Sequence, residues 1–295
     1  MSKGKFCLII SAVLYGVSPI LAAIAYRGGI NGITLTFLRS SVSVPLLLAI
    51  ILADKRPLRL PKRALGSVIA LGVFGGALPI LLLYLSYNFI STGLATTLHF
   101  IYPIVTVLAS AVIYHERMPR IMLSAVVLVT VGIFMFSDID ARSDKAGIIL
   151  ALLSGLFYSF YVIYIDRSGL DRLDYMVLTF YVMLIMSAAT FIFGLATGSL
   201  SFDFSPLSWS VSVVISLMVT LGAMPLFQAG IRYEGASAAG ILSTVEPVTS
   251  VALGALFLGE RVETGQLMGA GMILFGVILA ERGLRKKEED AAALH

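Results

Sequence analysis

The sequence is poor in charge and nearly devoid of cysteine. Asp, Glu, Lys and Arg make up 13% of its 295 residues, against 58% hydrophobic residues and a mean hydropathy of +0.96. A water-soluble domain is about 25% charged, so this composition excludes one and indicates an integral membrane protein. The single cysteine, Cys7, excludes an intramolecular disulfide and a cysteine-based metal cluster. Also missing are the G-x-x-x-x-G-K-[ST] nucleotide loop, the H-E-x-x-H zinc helix and the G-x-S-x-G nucleophile elbow. His115-Glu116 continues as Arg-Met-Pro at a helix end, so it is no zinc helix. ATP hydrolysis, metalloprotease and serine-hydrolase chemistry have no support. The expectation is a protein that is not an enzyme and takes no cofactor or metal. The net charge of +4 imitates a nucleic-acid signal, but the basic residues lie in short segments between apolar runs. A lipid bilayer, not nucleic acid, is the expected partner.

What is present is length in the apolar runs. A helix needs about 20 apolar residues to cross the hydrocarbon core. Ten runs qualify: 5–26, 31–53, 64–88, 92–114, 119–137, 146–165, 174–198, 207–232, 236–258 and 264–282. They are too long for barrel strands and do not alternate with period two. The first imitates a signal peptide, with Lys3 and Lys5 before it and Ala23-Ile24-Ala25 near its end. Its length exceeds a signal core and its pattern recurs near residue 150, so it is read as a retained span. The expected fold class is an all-α integral membrane protein with ten transmembrane helices.

The loop charges then give a direction. With the N-terminus inside, sixteen of the basic residues fall on the cytoplasmic side, and only Arg27, Arg142, Lys145 and Arg261 fall outside. This bias places both termini in the cytoplasm and the chain in a plasma (inner) membrane. The closing residues 291–295 resemble an appended remnant and are left out of the functional reading.

The chain also repeats itself. A shift of 144 residues aligns 95–132 with 239–276 without a gap, pairing Pro103/Pro247, Glu116/Glu260, Arg117/Arg261 and Gly132/Gly276. A shift of 143 pairs Ser11/Ser154, Tyr15/Tyr158 and Leu35-Thr36-Phe37 with Leu178-Thr179-Phe180. A shift of 146 pairs Gly76-Ala77/Gly222-Ala223, Pro79/Pro225 and Tyr87/Tyr233. Five spans per copy is an odd number, so the second copy crosses the membrane in the opposite sense. Such inverted repeats typify secondary transporters with a site near the midplane. The expected organisation is a first repeat at 1–137, an outside linker at 138–145, a second repeat at 146–282 and a cytoplasmic tail at 283–295.

Thr36-Phe37-Leu38-Arg39 in span 2, Tyr102-Pro103 with His115-Glu116-Arg117, and Glu246-Pro247 with Leu258-Gly259-Glu260-Arg261 resemble the EamA family of the drug/metabolite transporter superfamily. The resemblance covers nearly the whole chain as two units. The first unit departs from the second, with Tyr102 where the second has Glu246 and His115 where it has Gly259. The resemblance implies transport of a small metabolite, most often export, and leaves the substrate open.

Ionisable residues within spans are expensive and so are candidates for function. Glu246, mid-span 9, could load and release a proton, or pair structurally with Arg39 or a neighbouring helix. Pro247 weakens the helix beside it and favours an irregular, cavity-lining stretch or a plain kink. Arg39 could hold a substrate carboxylate or phosphate in a fork, or snorkel, or tie the halves together. Its repeat mate is Val182. His99, one turn before Tyr102, could couple protons after Glu246 or be a hydrogen-bonded core histidine. Ser243, Glu246 and Pro247 form the matching face of span 9, and Tyr102 and Ser243 join the expected substrate contacts. Mid-span Tyr15, Tyr84, Tyr158 and Tyr161 suggest an aromatic cavity wall, and Gln228 a further polar contact, although packing explains each alone. Spans 1–4 and 6–9 should line the cavity, with spans 5 and 10 bracing the halves. Gly72/Gly76 and Gly265/Gly269 give a spacing that serves a homodimer or packing within the chain. The expected reading is a secondary-active or facilitative transporter of a small, amino-acid-like or other polar metabolite, working by alternating access. A lipid-linked-intermediate flippase and an intramembrane enzyme using His99 and Glu246 are the rivals.

Overall fold

The computed structural model describes residues 2–90, 92–116, 118–135, 144–258 and 264–292. Arg117, Arg142, Gly259, Glu260, Arg261, most of the linker and the last tail residues lie outside the described residues.

The described chain is helical, with no strand among the described residues. Spans 1 to 3 are Lys3–Arg27, Gly32–Ala53 and Lys62–Ser86. Span 4 is two helices, Thr92–His99 and Tyr102–Val112, and span 5 is Arg120–Phe134. Spans 6 and 7 are Lys145–Arg167 and Tyr175–Ala196. One long helix, Pro206–Leu242, contains span 8 and the start of span 9, which continues from Val245 to Leu258. Span 10 is Thr264–Ala292.

Local chemistry starts these helices. Asn31, Asp144, Asp174 and Ser205 each accept from a backbone N–H of the first turn that follows, which satisfies donors that the helix itself cannot reach. Along the spans the polarity is that of a membrane protein. Large apolar side chains such as Leu52, Val112, Leu256 and Phe257 face outward, while small hydroxyls are buried. Thr36, Ser40, Thr179, Ser212 and Ser216 each donate to the carbonyl four residues back, the local solution where no water can serve.

The two repeats pack about a pseudo-twofold axis. Span 2 packs on span 7, span 5 on span 10, span 1 on spans 8 and 9, and span 6 on spans 3 and 4. The repeat mates Gly132 and Gly276 show the symmetry atom by atom. A Cβ on Gly132 would lie 2.8 Å from Gly269 O and from Ile273, and one on Gly276 would lie 2.7 Å from Val129 and 3.1 Å from Ala125 O. Shifting 125 and 129 by 144 gives 269 and 273, so each glycine meets its partner's counterpart. The mates Ser11 and Ser154 likewise donate to opposite copies of one region, Ser11 to Ala223 O at 2.7 Å and Ser154 to Pro79 O at 2.8 Å.

Two local features differ from the sequence reading. Spans 8 and 9 are not parted by a loop. Their boundary is Gly235, whose φ of 81° is the only non-helical backbone inside Pro206–Leu242. Glycine alone takes that conformation freely, so the chain turns in one residue. Spans 3 and 8 also widen into π-type turns at Leu71–Ala77 and Ser216–Ala223. These correspond on the 146-residue shift, and each ends just before a proline, Pro79 or Pro225. A proline lacks the N–H that the carbonyl four residues earlier needs, and a wide turn is one way to absorb that loss. Gly72 and Gly76 of span 3 face span 7, where a Cβ would lie 2.7 Å from Ile185 and 3.4 Å from Val182 respectively. That small-residue face is spent within the chain.

Candidate functional site

Spans 4 and 9 both break at mid-membrane, at turns Phe100-Ile101 and Ser243-Thr244. A proline, Pro103 or Pro247, follows in the first turn of each resuming helix, where its missing N–H costs nothing. Glycines on crossing spans let the breaks approach. A Cβ on Gly155 of span 6 would lie 2.6 Å from His99 O, and one on Gly16 of span 1 would lie 2.7 Å from Glu246 O.

Beside these breaks lies a cavity of about 480 Å³. It draws on spans 1–4 and 6–9, as expected, with Ile133 of span 5 and Gln266 of span 10 added. The cavity runs from mid-membrane toward the end of the bundle where Tyr26, Tyr87 and Thr96 lie, opposite the end that carries the chain's N-terminus.

Eight of the ten residues singled out in the sequence line it: Tyr15, Arg39, Tyr84, His99, Tyr102, Tyr158, Tyr161 and Glu246. Gln228 and Ser243 stand behind the wall. Gln228 donates from Nε2 to the Tyr161 hydroxyl at 2.9 Å and is otherwise buried. Ser243 accepts from the Tyr102 hydroxyl at 2.7 Å and donates to Gly240 O at 2.8 Å. They orient two tyrosines and do not face the cavity. Tyr26, Tyr87, Thr96, Thr220 and Ser250 also line the cavity, and the sequence reading missed them. Tyr26 and Tyr87 sit at span ends, where tyrosine ordinarily marks the lipid interface. Their one signal was the pairing of Tyr87 with Tyr233 in the repeat.

The wall at mid-membrane is aromatic. Tyr158 meets Tyr102 edge to face at 4.7 Å, stacks on Tyr161 at 5.6 Å and lies 5.4 Å from the His99 ring. His99 Nδ1 is 2.7 Å from Ser154 Oγ. That hydroxyl has one hydrogen and gives it to Pro79 O, so Nδ1 carries a proton and donates to Ser154.

The two charges of the cavity do not pair. Neither Arg39 nor Glu246 has an ion-pair partner among the described residues, and Arg39 Nε is buried with no hydrogen-bond partner. The structural tie between them that the sequence allowed is therefore not made. Arg39 lies seven residues, about 10 Å, inside the start of span 2. Tyr15 lines the same cavity as both charges. The cavity thus offers one unspent guanidinium fork, one unspent carboxylate and an aromatic wall. No group of three metal-ligating side chains occurs among the described residues.

The chain matches the EamA-like transporter family over residues 2–138 and 145–281. It is 27% identical over 283 residues to an uncharacterized transporter of Archaeoglobus fulgidus, covering 96% of this chain and 97% of that one. It is 27% identical to the uncharacterized transporter sll1319 of Synechocystis over 68% of this chain, a match that spans 62% of the relative's length. A crystal structure of another protein superposes with a TM-score of 0.80 at 18% identity, covering 96% of this chain and 99% of that one; this likeness concerns the fold. An all-helical chain of two apolar five-span repeats, matching one family in both halves, belongs to the EamA-like transporter family and is a multi-pass membrane transporter.

Proposed function

We propose that this transporter carries a small zwitterionic, amino-acid-like metabolite by alternating access, in the direction of export. The observation that carries the reading is the pair of unspent opposite charges in one cavity, Arg39 and Glu246. A charge held without a partner between apolar and aromatic walls is costly, and a substrate carrying both charges would satisfy each. Arg39 takes the carboxylate through its fork. Glu246 takes the ammonium group. Tyr15, Tyr102 and Tyr158 enclose the body between them, Tyr161 and Tyr84 complete the wall, and Gln228 and Ser243 hold Tyr161 and Tyr102 in place.

Both termini are cytoplasmic and the membrane is the plasma membrane, as the excess of loop Lys and Arg on that side supports. The two repeats, 1–137 and 146–282, form the moving halves. Where a proton gradient drives the cycle, Glu246 exchanges a proton for the substrate ammonium, with His99 the second candidate.

The test is thermal stabilisation of the purified protein by neutral α-amino acids, compared with the matching amines and carboxylic acids. A ligand that binds the folded state raises its apparent stability. The reading predicts that only compounds carrying both charges stabilise the protein. Stabilisation by amine or acid alone, or only by long-chain lipids, overturns it.

A further inference from the structure

The cavity ends at Tyr102 and Glu246. Beyond them, toward the end carrying the N-terminus, Tyr102–Val112 of span 4 packs against the stretch 236–244. Two hydroxyls in this seam are anomalous. Thr106 Oγ1 and Ser110 Oγ are fully buried and have no hydrogen-bond partner. Among the described residues most buried hydroxyls donate to a carbonyl one turn back, so these two stand apart. A buried polar atom left unmade is costly, and its presence needs a reason.

The repeat supplies one. On the 144-residue shift Thr106 corresponds to Ser250 and Val107 to Val251. Ser250 and Val251 line the cavity, whereas Thr106 and Val107 are buried. The same helix face is therefore wet in one repeat and sealed in the other. Across the seam, Gly240 corresponds to Thr96 of the cavity wall, and a Cβ on it would lie 3.3 Å from Thr106 Cβ and from Pro103 O. At Gly240 the two helices approach closely, Val107 packs with Ala238 and Ile241, and the Tyr102–Ser243 hydrogen bond crosses the seam at its cavity end.

The seam is fastened at its far end. Glu116, after span 4, accepts from Arg167 of span 6 at 3.0 Å and from Ser237 Oγ at 3.1 Å. Arg167 also lies over the Tyr114 ring at 4.8 Å and pairs with Asp166 at 3.0 Å. Ser237 follows Gly235, the one-residue pivot of the long helix. Fastening, pivot and two unsatisfied hydroxyls together mark a joint that can part.

We infer that this seam is the closed half of the transport path, lined by Thr106 and Ser110 and latched by Glu116, Arg167 and Ser237. When the latch releases, span 4 parts from the 236–244 stretch about Gly235, and the two hydroxyls gain water or substrate as partners. The cavity around Ser250 then closes as its mirror image. This rests on the alternating-access part of the proposal above and is independent of the substrate named there.

The test uses the full chain in sealed vesicles of either orientation, with Cys7→Ser as background. Thr106→Cys, Ser110→Cys and Ser250→Cys are each labelled with a membrane-impermeant methanethiosulfonate ammonium reagent. With the latch intact, Ser250→Cys should react from the side opposite the N-terminus, and the other two should resist. Adding Arg167→Gln should raise labelling of Thr106→Cys and Ser110→Cys from the side of the N-terminus by roughly tenfold or more, and lower that of Ser250→Cys. Ser110→Cys carries the test alone if Thr106→Cys fails to fold, and Leu108→Cys, on the lipid-facing side of the same helix, reports labelling unrelated to the seam. Loss of labelling at Ser250→Cys with no gain at 106 or 110 would place the closed path elsewhere and sink the inference, as would no change at any site. Labelling that exchanges sides while zwitterions fail to bind would leave the seam standing and remove only the substrate assignment.

Discussion

Spans 4 and 9 break within one residue of corresponding positions, beside Pro103 and Pro247, are crossed by Gly155 and Gly16, and meet at mid-membrane. Their side chains are nonetheless different: His99 against Ser243, Tyr102 against Glu246. The same contrast separates spans 2 and 7, with Arg39 against Val182. What the two repeats share is backbone: wide turns, helix breaks, close glycine contacts. What they do not share is the charge that faces the cavity, Arg39 and Glu246. Backbone symmetry is what an inverted-repeat mechanism needs, because the two halves must exchange shapes. A substrate has no such symmetry, so the side chains that face it need not have it either.

The largest effect should come from removing the asymmetric carboxylate. Glu246→Gln keeps the shape and deletes the charge. A hydrogen bond to a charged group contributes about 1.5–3 kcal/mol, so zwitterion affinity should fall by roughly 10- to 150-fold. Tyr102→Phe, at the mate position, should cost less, because that hydroxyl is already spent on Ser243. Equal losses would mean that the asymmetry has no bearing on binding. Titration calorimetry in detergent would measure both, and reconstitution would show whether Glu246→Gln also loses its response to a pH gradient.

Arg39→Val makes the first repeat resemble the second. It should weaken binding by roughly 10- to 30-fold, about 1.5–2 kcal/mol, by removing the fork for the substrate carboxylate. The matching amine, which has no carboxylate to lose, should bind the variant no worse than it binds wild type. If amine and zwitterion affinities drop together, the cavity has been distorted and Arg39 is a structural residue.

The third comparison concerns the scaffold. Gly132 and Gly276 are mates, but a Cβ meets backbone first at Gly132 and the Val129 side chain first at Gly276. A side chain can rotate away, and a carbonyl in a helix cannot. Gly132→Ala should therefore cost about 1–2 kcal/mol of stability through overpacking, with Gly276→Ala costing less. Thermal unfolding would rank them, and the reverse order would show that the brace between spans 5 and 10 is not as symmetric as it looks.

The fold was largely legible because span length and repeat period are properties of the chain alone. Ten apolar runs and three ordered shifts gave the spans and their inversion. The joint between spans 8 and 9 was hidden, because a glycine at positive φ carries no mark in a window of apolar residues. His115 is a related case. It departs from the family pattern, where its mate is Gly259, yet its φ of 51° lies in the left-handed region that glycine favours. The site was legible where a charge or a mid-span tyrosine had to be accounted for, as with Glu246, Arg39 and Tyr158. It was not legible at Tyr26, Tyr87 and Thr96, because those residues are ordinary at span ends and only three-dimensional convergence brings them to one cavity. Nor could spacing tell a wall residue from the residue holding it, which is how Gln228 and Ser243 came to be read as contacts.

That last distinction yields the smallest prediction. Ser243→Ala leaves the Tyr102 hydroxyl without its acceptor on span 9, at a cost of about 1 kcal/mol if no water enters. A residue that only positions Tyr102 should affect all ligands alike, lowering affinity several-fold without changing the preference for zwitterion over amine. A residue that touches the substrate should change that preference. Tyr102→Phe in the Ser243→Ala background separates the two. If Ser243 acts through Tyr102, the double variant should be no worse than Tyr102→Phe alone, because the bond is already gone. Additive losses would put Ser243, the mate of His99, in the cavity after all, giving the second repeat a contact at the position where the first presents an imidazole.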